Sequence, residues 1–151
     1  MKKITATLLA IVASATTLFA ASLYTSAEDK PISYSELPAE AQSFVRDYFT
    51  NEEISHIILD RDVISIDYKL TFMSGTKLEF NSQGEWKEVD MRNGDVPTAI
   101  IPQAIAEYVA KNYPNRTITE IKRNHYYMEV CLNGGLELTF NRSYRVVDVD
   151  D

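Results

Sequence analysis

Cysteine is nearly absent. The lone Cys131 among 151 residues leaves no partner for an intramolecular disulfide and no set of thiolates for a structural zinc site. Histidine is almost as scarce: His56 and His125 are far apart, and no H-x-x-x-H or H-E-x-x-H spacing exists to hold a catalytic metal. With five glycines, the chain has no Gly-punctuated acidic loop of the kind that feeds alternate ligands to Ca²⁺. Positive charge is short as well, with 15 Lys and Arg against 22 Asp and Glu, a formal charge of −7. Such a surface repels a phosphate backbone, which excludes nucleic acid as a partner and favours a cationic protein surface or peptide. Nucleophilic catalysis needs a nucleophile, a base and an orienting group within reach of one another. The only thiol, Cys131, is flanked by acids that disfavour its thiolate, and His125 lies six residues away beside an expected turn. A small hydrolase is therefore the weakest reading. No cofactor is called for.

One long uncharged run stands at the start. Met1-Lys2-Lys3 is basic, Ile4 to Leu23 carries no charge, and small residues follow before Glu28 and Asp29. A basic start, an apolar stretch and a small-residue exit read as a bacterial-type secretory signal peptide over residues 1–27, cleaved after Ala27. The alternative, an uncleaved anchor, is diluted by Thr5, Ser14, Thr16, Thr17 and Ser22. Loss of Lys2 and Lys3 with the leader leaves 13 basic residues against 22 acidic ones, a charge of −9. The expected location is periplasmic or secreted, with no stable membrane span after cleavage.

What remains is patterned. Leu37-Pro38 recurs as Ile101-Pro102, and at the same spacing Phe44 meets Tyr108, Val45 meets Val109 and Phe49 meets Tyr113. After a short deletion, Tyr68, Leu70 and Phe72 meet Met128, Val130 and Leu132, while Phe80-Asn81 meets Phe140-Asn141. Internal matching of this kind points to two units, residues 28–92 and 93–151. Each unit opens on a helix: Leu37, Ala41, Phe44, Val45 and Tyr48 recur at three- and four-residue spacing, with Ser35 as the expected cap. Strands follow. Ile64, Ile66, Tyr68, Leu70 and Phe72 alternate with Ser65, Asp67, Lys69 and Thr71, the period of a half-buried strand. Ser74-Gly75 and Asn133-Gly134-Gly135 supply turns. The expected fold class is α+β, with two tandem helix-then-antiparallel-strand repeats joined into one sheet and helices on one face.

These helix starts and strand ends, Phe80-Asn81…Gly84…Trp86 and Phe140-Asn141…Val146, resemble the PepSY-like, β-lactamase-inhibitor-like periplasmic proteins over about residues 33–151. The resemblance implies a sheet whose open face grips a protein surface. The β-lactamase inhibitor itself is disulfide-bonded, and this chain departs from it there. Asn115-Arg116-Thr117 and Asn141-Arg142-Ser143 match the N-glycosylation pattern, but a bacterial leader makes both expected to stay unmodified. The acids Asp60, Asp62 and Asp148 to Asp151 read as a solvated edge.

Strict alternation places Asp67, Lys69, Glu79, Trp86 and Glu88 on the open face, with Tyr127 and Glu129 from the second unit. Aromatic anchors among charged residues are common at protein interfaces. The chain thus reads as an exported, non-enzymatic binding module, an enzyme inhibitor being one form of it, that takes a protein or peptide with a cationic surface on these seven residues. A self-associating envelope protein is the alternative, in which case a homo-oligomer is the partner.

Overall fold

The computed structural model describes residues 29–151; the expected leader lies outside them. Nine strands run in the order β1 (Lys30–Pro31), β2 (Ile54–Arg61), β3 (Ile66–Phe72), β4 (Lys77–Asn81), β5 (Trp86–Asp90), β6 (Ile118–Arg123), β7 (Tyr127–Leu132), β8 (Glu137–Asn141) and β9 (Val146–Asp150). They form one antiparallel sheet in which each strand pairs with its sequence neighbours. Helix α1 (Ala39–Tyr48) stands between β1 and β2, and α2 (Gln103–Asn112) between β5 and β6.

The expected α+β arrangement of two helix-then-strand repeats is corrected by this topology. Among the described residues a strand, not a helix, comes first, and two helices of only ten residues each stand against a nine-stranded sheet. The sheet is continuous from β5 to β6. Across β5 and β6, Val89 pairs with Ile121, and both are fully buried in the same apolar core as the rest of the sheet. The helix starts are conspicuous in the sequence because their periodicity is local. Cross-strand pairing, which links residues distant in sequence, is what organises the molecule.

The helices form where the chain is locally suited to them. Pro38 and Pro102 each occupy the N-cap position, just before Ala39 and Gln103, where the missing N–H removes nothing from the helix. Ser35 does not cap α1. It lies in a 3-10 turn, Tyr34–Glu36, closed by the Glu36 carboxylate, which accepts from the Ser33 N–H and hydroxyl, both at 2.8 Å. From α1, Phe44 meets Phe80 edge-on at 5.6 Å; from α2, Tyr108 meets Phe140 edge-on at 5.5 Å. Both helices therefore pack on the face lined by Leu70, Leu78, Phe80, Val89, Val130, Leu138 and Phe140. Aromatic pairs in this geometry add to the burial of their surface.

One alternation detail differs from expectation. The β3 strand begins at Ile66, so Ile64 falls with Val63 at the exposed tip of the β2–β3 hairpin. Beyond β4 and β8, Asn81 and Asn141 close matching turns. Each side-chain Oδ1 accepts two backbone N–H groups, from Gln83 and Glu85 and from Ser143 and Arg145 respectively. Asn is suited to such turns because its short amide mimics the backbone.

Candidate functional site

The face of the sheet opposite the helices carries charge in cross-strand groups. Asp60 on β2 pairs with Lys69 on β3. Lys87 on β5 reaches Asp67 at 2.9 Å and Glu79 at 2.6 Å. Lys122 on β6 holds Glu120 at 2.5 Å but stands 4.0 Å from Glu88. Its ammonium pKa is pushed up, chiefly by the hydrogen bond to Glu120. Glu88 fares differently: burial raises its pKa, and Lys122 only partly offsets this while Glu120 and Glu79 add to it. Charging Glu88 in the centre of this face is thus costly without a further cation.

Of the seven residues expected on the open face, the structure brings four together. Glu79, Glu88, Tyr127 and Glu129, with Lys87 and Lys122, line a shallow depression of about 180 Å³ between β4 and β7. Asp67 and Lys69 share the face but sit on β3, in the ion pairs given above. Tyr127 is 39% exposed, so its ring is available at the rim.

Trp86 does not belong there, and its expected position is corrected. The β4–β5 ladder pairs Phe80 with Trp86 and then Glu79 with Glu88, so Lys87 and Glu88 together face one partner residue. This bulge turns Trp86 to the helix side with Val89. Its ring stacks 6.3 Å from Phe44, and the Arg123 guanidinium lies 4.1 Å over the ring centroid. Arg123 also donates through Nε to the Trp86 carbonyl at 2.7 Å. Trp86 borders a groove of about 350 Å³ with Glu40, Phe44, Asp47 and Tyr48 of α1. The trace of the bulge in the sequence is apolar spacing of three in a strand, Trp86 with Val89 and again Val146 with Val149. Lys87 and Lys122, both missed by the reading, are central to the face; the same bulge hid Lys87.

Cys131 lies on the open face, 3.7 Å from the Glu137 carboxylate. Burial first, then Glu120 and Glu137, push its thiol pKa up to about 12. His125 instead packs edge-on against Tyr126 at 5.3 Å. The folded thiol is therefore expected to react with iodoacetamide far more slowly than the unfolded one at pH 8, since the thiolate is the nucleophile. An unfolded thiol ionises near pH 8.5 while the folded one keeps its proton. Stability should accordingly fall as pH climbs above about 9, and the Cys131→Ser protein should show less of that loss in urea titrations. Among the described residues, no three His, Cys, Asp or Glu side chains converge to hold a metal ion. No described helix is long and apolar enough to cross a membrane.

Residues 66–148 match the family described as "Putative beta-lactamase-inhibitor-like, PepSY-like". Among solved structures, a "putative periplasmic protein" of the DUF2874 family from Bacteroides vulgatus is 36% identical, with a TM-score of 0.80 over 82% of this chain and 98% of the other. A "putative calcium-regulated periplasmic protein" from Bacteroides thetaiotaomicron is also 36% identical, with a TM-score of 0.80 over 82% and 97%. A second Bacteroides vulgatus structure, a "putative periplasmic protein of unknown function", is 32% identical, with a TM-score of 0.79 over 82% and all of that chain. No curated protein matches.

Proposed function

Because the chain belongs to the PepSY-like, β-lactamase-inhibitor-like family, we propose that it is an exported, non-enzymatic binding module that works in the periplasm. Its partner is a protein that presents cationic side chains to the helix-free face of the sheet. An enzyme held in check by such contact is one form this partner can take. The periplasmic setting rests on the descriptions of the solved relatives.

A single observation carries the reading. The central depression is lined by Glu79, Glu88 and Glu129 and by Lys87, Lys122 and Arg123, but each cation is already engaged: Lys87 with Asp67 and Glu79, Lys122 with Glu120, and Arg123 over the Trp86 ring. Glu88 is left half-buried with a raised pKa and its nearest cation at 4.0 Å. A Lys or Arg from a partner would complete this arrangement, and Tyr127 at the rim offers an aromatic contact beside it. Charge-assisted hydrogen bonds to a desolvated carboxylate are among the stronger polar contacts at interfaces.

The test is capture from envelope extract by the immobilised protein, beside a Tyr127→Ala/Glu88→Lys variant whose fold is checked by circular dichroism. The expected result is a partner retained by the native chain and lost by the variant. Replacing one carboxylate with a cation at a close charge pair costs on the order of 2–5 kcal/mol of binding. Equal capture by both would overturn the assignment of this face.

A further inference from the structure

We infer that β9 is a second docking site, an edge to which an extended segment of a partner, apolar on one side and basic on the other, adds as a tenth antiparallel strand. The inference stands apart from the open-face reading and rests on a comparison within the sheet. Strands β5 and β9 meet their preceding neighbours in the same way. Leu78 pairs with Val89, Glu79 with Glu88 and Phe80 with Trp86; likewise Leu138 pairs with Val149, Thr139 with Asp148 and Phe140 with Val146. Each pair of strands has its register shift at the same place. On its other side, β5 is covered by β6, whereas among the described residues nothing pairs with the outer edge of β9. The difference shows in the side chains: Val89 is 0% exposed and Val149 is 49% exposed, with Val147 at 59% beside it. An uncovered strand edge with exposed β-branched residues is a template for strand addition.

The chemistry of the occupant can be read from β6. That strand sets Ile121 against Val89 and Lys122 against Glu88. In the same register along β9, an apolar residue would meet Val149 and a basic one would meet Asp148. Asp150 lies one further along, where β5 has Asp90 against Glu120. A second copy of β9 fits poorly. Antiparallel pairing centred on Asp148 would set that carboxylate against its own copy, and like charges directly opposite are destabilising. A partner strand with Lys or Arg at those places turns the same charges into attraction.

The probe is a capped peptide with the sequence of residues 116–124, carrying Glu120→Lys so that both Asp148 and Asp150 meet a base. Binding to the intact protein is followed by amide hydrogen exchange and chemical shifts, beside a scrambled peptide of equal charge. The expected result is slowed exchange confined to β9 and binding weakened about tenfold by Asp148→Lys/Asp150→Lys. A peptide with acids at the two basic positions should then bind this variant better than it binds the native chain. Equal binding of the scrambled peptide, or shifts centred on Glu79, Glu88 and Glu129, would overturn the inference. So would concentration-dependent doubling of mass with β9 protected in the absence of peptide, which would make a second copy the occupant.

Discussion

Phe80→Ala and Phe140→Ala are each expected to cost about 4 kcal/mol of folding stability, the usual range for deleting a fully buried aromatic ring. Both rings are completely enclosed, and each joins the sheet to a helix, through Phe44 and Tyr108 respectively. The rings lie in one continuous core with Val89 and Ile121 between them. Urea denaturation followed by tryptophan fluorescence and by circular dichroism should therefore give a single, coincident transition for both variants. Trp86 reports locally on the α1 side. If Phe140→Ala lowered the circular dichroism midpoint while fluorescence stayed at the native value, the sheet would consist of two separately folding halves.

Gly84→Ala should be the next most damaging change, by about 3 kcal/mol. Gly84 has φ +87°, where a side chain collides with its own backbone, and this alone costs about 1 kcal/mol or more. A Cβ built there would also lie 2.8 Å from the Pro38 Cβ and 2.9 Å from the Ala41 nitrogen, at the first turn of α1. Those contacts cannot be relieved by a side-chain rotation, so the helix must shift off the sheet, at an overpacking cost of about 1–3 kcal/mol. Gly135→Ala is the control. It has a similar φ of +94° with nothing within 4 Å of the added carbon, so it should lose only the conformational part. The difference between the two midpoints measures how tightly α1 is seated on the β4–β5 turn. Equal losses would show that α1 yields without cost.

Much of this arrangement can be read from the chain without coordinates, and the exceptions share a cause. Leu70, Phe72, Leu78, Phe80, Leu138 and Phe140 alternate with polar residues, and local period-two patterning suffices to put them inside. The prolines at 38 and 102 mark the helix starts for an equally local reason. Trp86 lies on the face opposite to the one strict alternation assigns, because a bulge resets the count of faces midway along a strand, and that event depends on the partner strand. The two-residue strand Lys30–Pro31 has no periodicity to detect; it exists because β2 offers Leu59 and Ile58 as partners. Ile64 looks like a core position by composition, yet β2 and β3 pair only as far as Arg61 and Ile66. At the site, carboxylates at Glu79, Glu88 and Glu129 follow from alternation alone. Their convergence on one depression beside Lys87 and Lys122 is a property of three-dimensional register.

The sequential pairing of the nine strands also bears on how the chain acquires its fold. Most hairpins close over turns of a few residues, so contact order is low for an all-antiparallel sheet, and low contact order goes with fast folding. Among the described residues, two junctions need a long loop to close, β1 to β2 around α1 and β5 to β6 around α2. The cost of such closures grows slowly with loop length. The second junction draws Val89 and Ile121 together over 31 intervening residues, so it joins two runs of strands whose own pairings are local.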